Sequence, residues 1–156
     1  MISIDIPGFG GLELRHLVLD YNGTIAFDGR LLEGVGGQLR KLAEQLEIHV
    51  LTADTFGSVA NNLEELPCIV HVLPRDRQDV AKLRYIEKLG AVTTVSVGNG
   101  RNDAKMLQGS ALGIAVLQQE GAASVTLVSA DLVIASITDA LDLLLHPRRL
   151  IATLRT

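Results

Sequence analysis

Six short apolar runs, His16 to Leu19, Ile48 to Thr52, Ile69 to Leu73, Thr93 to Val97, Leu112 to Val116 and Leu132 to Ala135, recur along this chain with room for a helix between neighbours. Runs of four or five residues are too short for helices, and consecutive apolar side chains point to both faces of a strand. Both faces must then be covered, which is the condition of a parallel sheet between two helical layers. The intervening segments, Val35 to Glu47, Phe56 to Leu66, Asp76 to Leu89, Asp103 to Gln108, Gln119 to Leu127 and Ile137 to Leu145, read as helices. The alternation predicts an α/β fold: three layers around a doubly wound, mostly parallel sheet. Aromatic residues make up only 3% of the chain and Trp is absent, so the core is expected to be aliphatic.

A length of 156 residues suits one domain over 1–156. Two pieces fall outside the alternation. Ile2 to Leu14, turning through Pro7-Gly8-Phe9-Gly10-Gly11, predicts an opening hairpin (2–14), and Thr24 to Leu32 predicts a flap hairpin (24–32) around Asp28-Gly29. A last helix is expected over Arg148 to Arg155, after Pro147.

The formal net charge is −4 and basic residues do not cluster beyond Arg148-Arg149, so nucleic acid is not an expected partner. No apolar stretch approaches the length of a membrane span, and no signal peptide is visible, so a cytoplasmic protein is expected. The lone Cys68 reads as a buried, inert thiol. His16, His49 and His71 show no metal-ligand spacing and read as surface or satisfied histidines.

In doubly wound sheets ligands bind at the carboxyl ends of the strands. Those ends carry Asp20, then Thr52 and Asp54, then Gly98-Asn99-Gly100-Arg101-Asn102-Asp103. Asp20 alone is a turn cap. Together with a hydroxyl at Thr52, a cation at Lys82 and a hard oxygen at Asp103, it forms a set able to neutralise a phosphoryl group during in-line attack.

The order Asp20-x-x-Gly23-Thr24, Thr52, Lys82 and Gly98-x-Gly100-x-Asn102-Asp103 resembles the haloacid dehalogenase superfamily of aspartate-nucleophile phosphohydrolases. It is most similar to the phosphorylation domain of P-type ATPases, where Thr52-Ala53-Asp54, Pro74 to Lys82 and Ala130-Asp131 also have counterparts. The resemblance runs from about His16 to Ile134. It implies Asp20 as the nucleophile that forms an aspartyl-phosphate, and Mg²⁺ as cofactor, held by Asp20, the Asn22 carbonyl, Asn99 and Asp103. It also implies Thr52, Lys82 and Asn102 at the phosphate, with Lys82 offsetting the charge of the nucleophile.

Two positions depart from the family pattern, and each removes an acid. Asn22 stands where soluble phosphatases of the superfamily carry the Asp that protonates the leaving group and activates water. Turnover is expected to be slower by about 10²–10⁴-fold, the usual worth of general acid–base catalysis. Asn99 replaces the first acid of the Gly-rich motif and predicts weaker metal binding. The resemblance is not expected to extend to transport, since neither a membrane span nor an inserted nucleotide-binding domain is present.

Family members with cap domains insert them after the first or second motif. Only 27 residues lie between Thr24 and Thr52, and 29 between Thr52 and Lys82, so a capless, open site is expected. Such a site resembles those acting on phosphorylated macromolecules, or those whose cleft a neighbouring copy closes in a homo-oligomer; a phosphorylated small molecule remains open as substrate. The alternative is a non-catalytic scaffold that keeps the fold for binding or oligomerisation. A receiver-like phospho-acceptor is disfavoured, because Asp20 ends the first core strand, where receivers carry an acid pair.

Overall fold

The structure, a computed structural model, describes residues 1–54 and 57–156. Ten strands and seven helices are described. They are β1 (Ile2–Ile6), β2 (Gly10–Leu14), β3 (His16–Asp20), β4 (Ala26–Phe27), β5 (Arg30–Leu31), α1 (Val35–Leu42), β6 (Glu47–Thr52), α2 (Ser58–Leu63) and β7 (Ile69–Val72). After them come α3 (Gln78–Leu89), β8 (Thr94–Gly98), α4 (Ala104–Gly109), β9 (Leu112–Val116), α5 (Ser124–Ser129), β10 (Leu132–Ile134), α6 (Ile137–Leu145) and α7 (Pro147–Leu154).

Six strands form one sheet in the order β10-β9-β8-β3-β6-β7, every pair parallel. The chain winds outward from β3 through β6 to β7, then returns to β8 on the other side of β3 and winds out to β10. The reversal opens a crevice at the carboxyl ends of β3 and β8, where Asp20 and the 98–103 loop stand.

Period-two alternation splits the core into two layers. Leu17, Leu19, Ile48 and Val50 pack with Leu39 and Leu42 of α1 and Leu141 and Leu144 of α6. Val18 and Leu51, pointing the other way, meet Ile86 of α3 and Met106 and Leu107 of α4. All of β8 and β9 is buried; β9 is apolar throughout, whereas β8 alternates, with Thr94 and Ser96 as buried polar residues between Val95 and Val97. β1 and β2 pair antiparallel, and Ile2, Ile4, Ile6, Leu12 and Leu14 join the first layer. β4 and β5 pair antiparallel across Asp28 and Gly29, both at positive φ. Tyr21 and Asn62 hydrogen-bond the Gly29 carbonyl and hold this turn against α2. Among the described residues no cap domain is inserted after β3 or β6.

Several boundaries differ from those read in the sequence. α1 stops at Leu42 instead of Glu47, because the Glu47 N–H donates to Arg15 O and begins the pairing of β6 with β3. α3 begins at Gln78, after Arg77 at φ 50, two residues later than expected. The helix expected from Gln119 starts at Ser124, since Gln118 and Gly121 adopt positive φ and turn the chain across the site. The expected start of α2 at Phe56 lies outside the described residues; the described helix ends at Leu63, three residues early, with Leu66 N–H bonding Leu63 O before Pro67. Asp103 sits in a single 3₁₀ turn (Arg101–Asp103) ahead of α4 rather than in the helix itself. No helix of the described residues is long and apolar enough to cross a membrane.

Candidate active site

Lys82, on the second turn of α3, reaches the crevice from one face of the sheet. Its Nζ lies 2.6 Å from Asp20 Oδ1 and 2.6 Å from Asp103 Oδ1. Lys82 is 1% exposed, Asp103 fully buried and the Asp20 side chain 13% exposed. Two acids and one ammonium leave this cluster one negative charge in excess. Burial, and then the charge of Asp103, push the Asp20 pKa up to about 7 against the pull of Lys82. For Lys82 burial acts downward, but the two carboxylates outweigh it and raise its pKa, so the ammonium stays charged.

The 98–103 loop folds around the second acid. Asp103 Oδ2 accepts from the N–H groups of Asn99 and Gly100, both at 2.9 Å, while Oδ1 holds Lys82. A Cβ at Gly98 would come within 2.5 Å of this carboxylate, so only glycine fits the close approach. Asp103 therefore locks the loop and anchors the lysine at once.

Asn99 is held by its other end. Its Nδ2 donates to Gly121 O at 2.9 Å, which turns Oδ1 toward the Thr24 hydroxyl, 3.4 Å away. The same hydroxyl stands 3.4 Å from Asp20 Oδ2. Gln118 Nε2 donates to the carbonyls of Gly23 and Thr24, tying the 117–121 turn to the Asp20 loop.

Gly23 has φ +78, and a Cβ there would lie 2.4 Å from Glu120 Oε2 and 2.7 Å from Asn99 Nδ2. Gly23→Ala is therefore expected to cost about 1–3 kcal/mol of stability, since it strains the turn and pushes Asn99 aside. Urea unfolding of the variant checks this.

Of the residues singled out in the sequence, Asp20, Lys82, Asp103 and Asn99 are brought to one cluster, with Thr24 between them. Thr52, buried at the end of β6 beside the strand of Asp20, accepts from Asp54 N–H. Asn22 exposes its side chain to solvent. Asn102 Nδ2 donates to Gln78 Oε1 at 2.8 Å. Asp54 accepts from Ser58 Oγ and Val59 N–H at the start of α2. Asp131 accepts from Gly113 N–H at the opposite end of the sheet. The expectation of a helix from Gln119 hides the turn that carries Glu120 and Gly121, and Gln118 just before it carries no motif; Gly121 is the signal the sequence offers for the turn.

Gln78 and Asn102 also line a cleft of about 660 Å³ beside the crevice, together with Arg75, Arg77, Arg101 and Lys105. Only Asp79 contributes an acid to it, paired with Lys105. This cleft, which Asp20, Thr52, Lys82 and Asp103 do not line, favours anions.

The superfamily implied by the sequence uses Mg²⁺. Here Asp20 Oδ2 and Asn99 Oδ1 face one hydroxyl, and both are hard oxygens of the kind Mg²⁺ takes. The donor set fits, with one formal charge fewer than two acids would bring.

No protein-family model matches the chain. The uncharacterized protein MJ0073 of Methanocaldococcus jannaschii is 44% identical over 82 residues, covering 50% of this chain and 88% of MJ0073. Among solved structures, 3-deoxy-D-manno-octulosonate 8-phosphate phosphatase from Moraxella catarrhalis, in complex with magnesium, phosphate and the sugar acid KDO, superposes with a TM-score of 0.72. It is 16% identical, with 92% of this chain and 94% of the phosphatase covered. The catalytic domain of the CPx-ATPase CopB-B superposes with a TM-score of 0.56 at 23% identity, over 81% of this chain and 46% of that one.

Proposed function

We propose a Mg²⁺-dependent phosphohydrolase for this chain, which carries the haloacid dehalogenase fold and belongs to the same family as MJ0073. The observation that carries the proposal is Lys82, buried between Asp20 and Asp103 at 2.6 Å from each, at the crevice of the sheet. Structural needs do not call for three charges buried at a strand end, where isolated ions cost several kcal/mol each. A carboxylate whose pKa is raised by burial at a crevice, as that of Asp20 is, is a mark of function.

In this reading a carboxylate oxygen of Asp20 attacks phosphorus in line, the bond to the leaving oxygen breaks, and an aspartyl-phosphate forms. Lys82 offsets the added charge, and Thr52 donates its hydroxyl to a phosphoryl oxygen. Asp20, Asn99 and the Asn22 carbonyl would hold the metal; Asp103, expected from the sequence as a further ligand, has Oδ1 on Lys82 and Oδ2 on the Asn99 and Gly100 N–H groups. Asp103 orients Lys82 and the loop. When bound, Mg²⁺ neutralises the phosphoryl oxygens. The basic cleft of Arg75, Arg77, Arg101 and Lys105 receives an anionic leaving group, and the phosphatase neighbour's sugar-acid ligand is an example of that class.

Asn22 neither gives a proton to the leaving oxygen nor takes one from water. Good leaving groups bypass the first deficit, and the second slows release of the phosphoenzyme. With an activated phosphate ester and Mg²⁺, Asn22→Asp is expected to release phosphate faster than the natural chain, by up to about 10²-fold, the low end of acid–base catalysis. Release by neither protein would leave the scaffold reading standing instead.

A further inference from the structure

The opposite end of the sheet gathers a second set of ligand atoms. β3 and β6 pair in parallel with His16 opposite Glu47, and His49 stands two residues further along β6 on the same face as Glu47. His16 Nδ1 lies 3.3 Å from His49 Nε2 and 3.5 Å from Glu47 Oε1; His49 Nε2 lies 2.9 Å from Glu47 Oε1. We propose that His16 Nδ1, His49 Nε2 and Glu47 Oε1 form a transition-metal site, with Zn²⁺ the ion it fits best. It shares no residue with the Asp20 cluster.

Three observations support the assignment. A tetrahedral ion with bonds of about 2.0–2.1 Å holds its ligand atoms about 3.3 Å apart, and the three edges seen here bracket that spacing. Two imidazoles and one carboxylate are a borderline donor set that suits Zn²⁺ and not Mg²⁺. The third is a hydrogen bond behind the ligands: His49 Nδ1 lies 2.9 Å from Tyr85 Oη on α3. A proton on Nδ1 donated to this oxygen leaves the lone pair of Nε2 facing Glu47 and His16, as a ligand requires. His49 is 2% exposed and rigidly placed, whereas Glu47 is 54% exposed, so the fourth position opens to solvent and takes water. Such an ion clamps the starts of β3 and β6, whose other ends carry Asp20 and Thr52.

The test is Zn²⁺ titration of the metal-free full chain against a chromophoric chelator, in excess Mg²⁺ so that the oxygen-donor crevice does not compete. One equivalent should bind and raise the Tm. Glu47→Gln and His16→Gln, both at accessible positions and expected to fold, should each weaken binding at least tenfold. Tyr85→Phe should weaken it by about tenfold, through loss of the bond that orients His49. Asp20→Asn should bind Zn²⁺ like the natural chain. Substituted Co²⁺ should give the strong visible absorption of a four-coordinate site, and lose it in Glu47→Gln. Equal Zn²⁺ affinity in the natural chain and in both ligand variants overturns the proposal, as does a Tm that Zn²⁺ leaves unmoved.

Discussion

Asp20→Asn is expected to abolish Mg²⁺-dependent phosphate release and at the same time to make the metal-free protein more stable at neutral pH. The first effect follows from removal of the nucleophile, for which an amide is no substitute. The second follows from the electrostatics of the cluster. In the unfolded chain Asp20 ionises with the usual carboxylate pKa of 3.8, while in the fold burial and Asp103 hold it at about 7. Between those values the folded state keeps a proton that the unfolded state has lost. Stability therefore falls as pH rises from about 4 to 7, and above 7 the full penalty applies. Its size is on the order of a few kcal/mol, so Asn at this position should raise the Tm by about 5 °C or more in EDTA at pH 7.5. The difference should vanish near pH 4. Saturating Mg²⁺ should stabilise the natural chain and not the variant. Thermal melts from pH 4 to 8, with and without Mg²⁺, check each part; a variant less stable than the natural chain at pH 7.5 would contradict it.

Lys82→Met carries the second large effect, in the opposite direction. Methionine fills the volume but leaves Asp20 and Asp103 buried without the ammonium that each meets at 2.6 Å. Removing one partner of a buried ion pair costs about 3–5 kcal/mol, because the uncompensated charge stays behind. Asp103 retains its two backbone donors, so the loop is expected to survive and the loss to fall chiefly on Asp20. Adding Asp20→Asn to Lys82→Met should then recover part of the stability, a non-additivity that a double-mutant cycle by urea unfolding measures. Phosphate release should be lost in the single variant.

The layers of the fold were legible because parallel strands buried on both faces read as short apolar runs, and Leu112 to Val116 shows it most clearly. Helix ends were read less well. Gln118 and Gly121 take positive φ inside a stretch whose composition suits a helix, and that turn delivers Gln118 and Glu120 to the crevice. Residues at strand ends could be named from sequence, because the rule for doubly wound sheets points at them. What each oxygen of Asp103 touches could not, since it depends on where α3 crosses the sheet. The His16, Glu47 and His49 grouping was hidden for a related reason: it exists only through the register of β3 against β6, and sequence spacing between the two histidines carries no trace of it.

Two absent acids, at positions 22 and 99, give the site its character. In the proposed reading Asp20, ionised above its pKa of about 7, is phosphorylated once a divalent cation is present, while the proton transfers that complete hydrolysis lack a side chain at position 22. A phosphoenzyme should therefore accumulate.

Acid-quenched mass spectrometry of the chain after incubation with Mg²⁺ and an activated phosphate ester tests that claim most directly. The account predicts a hydroxylamine-labile phosphoryl group on Asp20, present in a large fraction of the natural chain and in a much smaller fraction of Asn22→Asp. Phosphate release with no label on Asp20, or label on another residue, would contradict it.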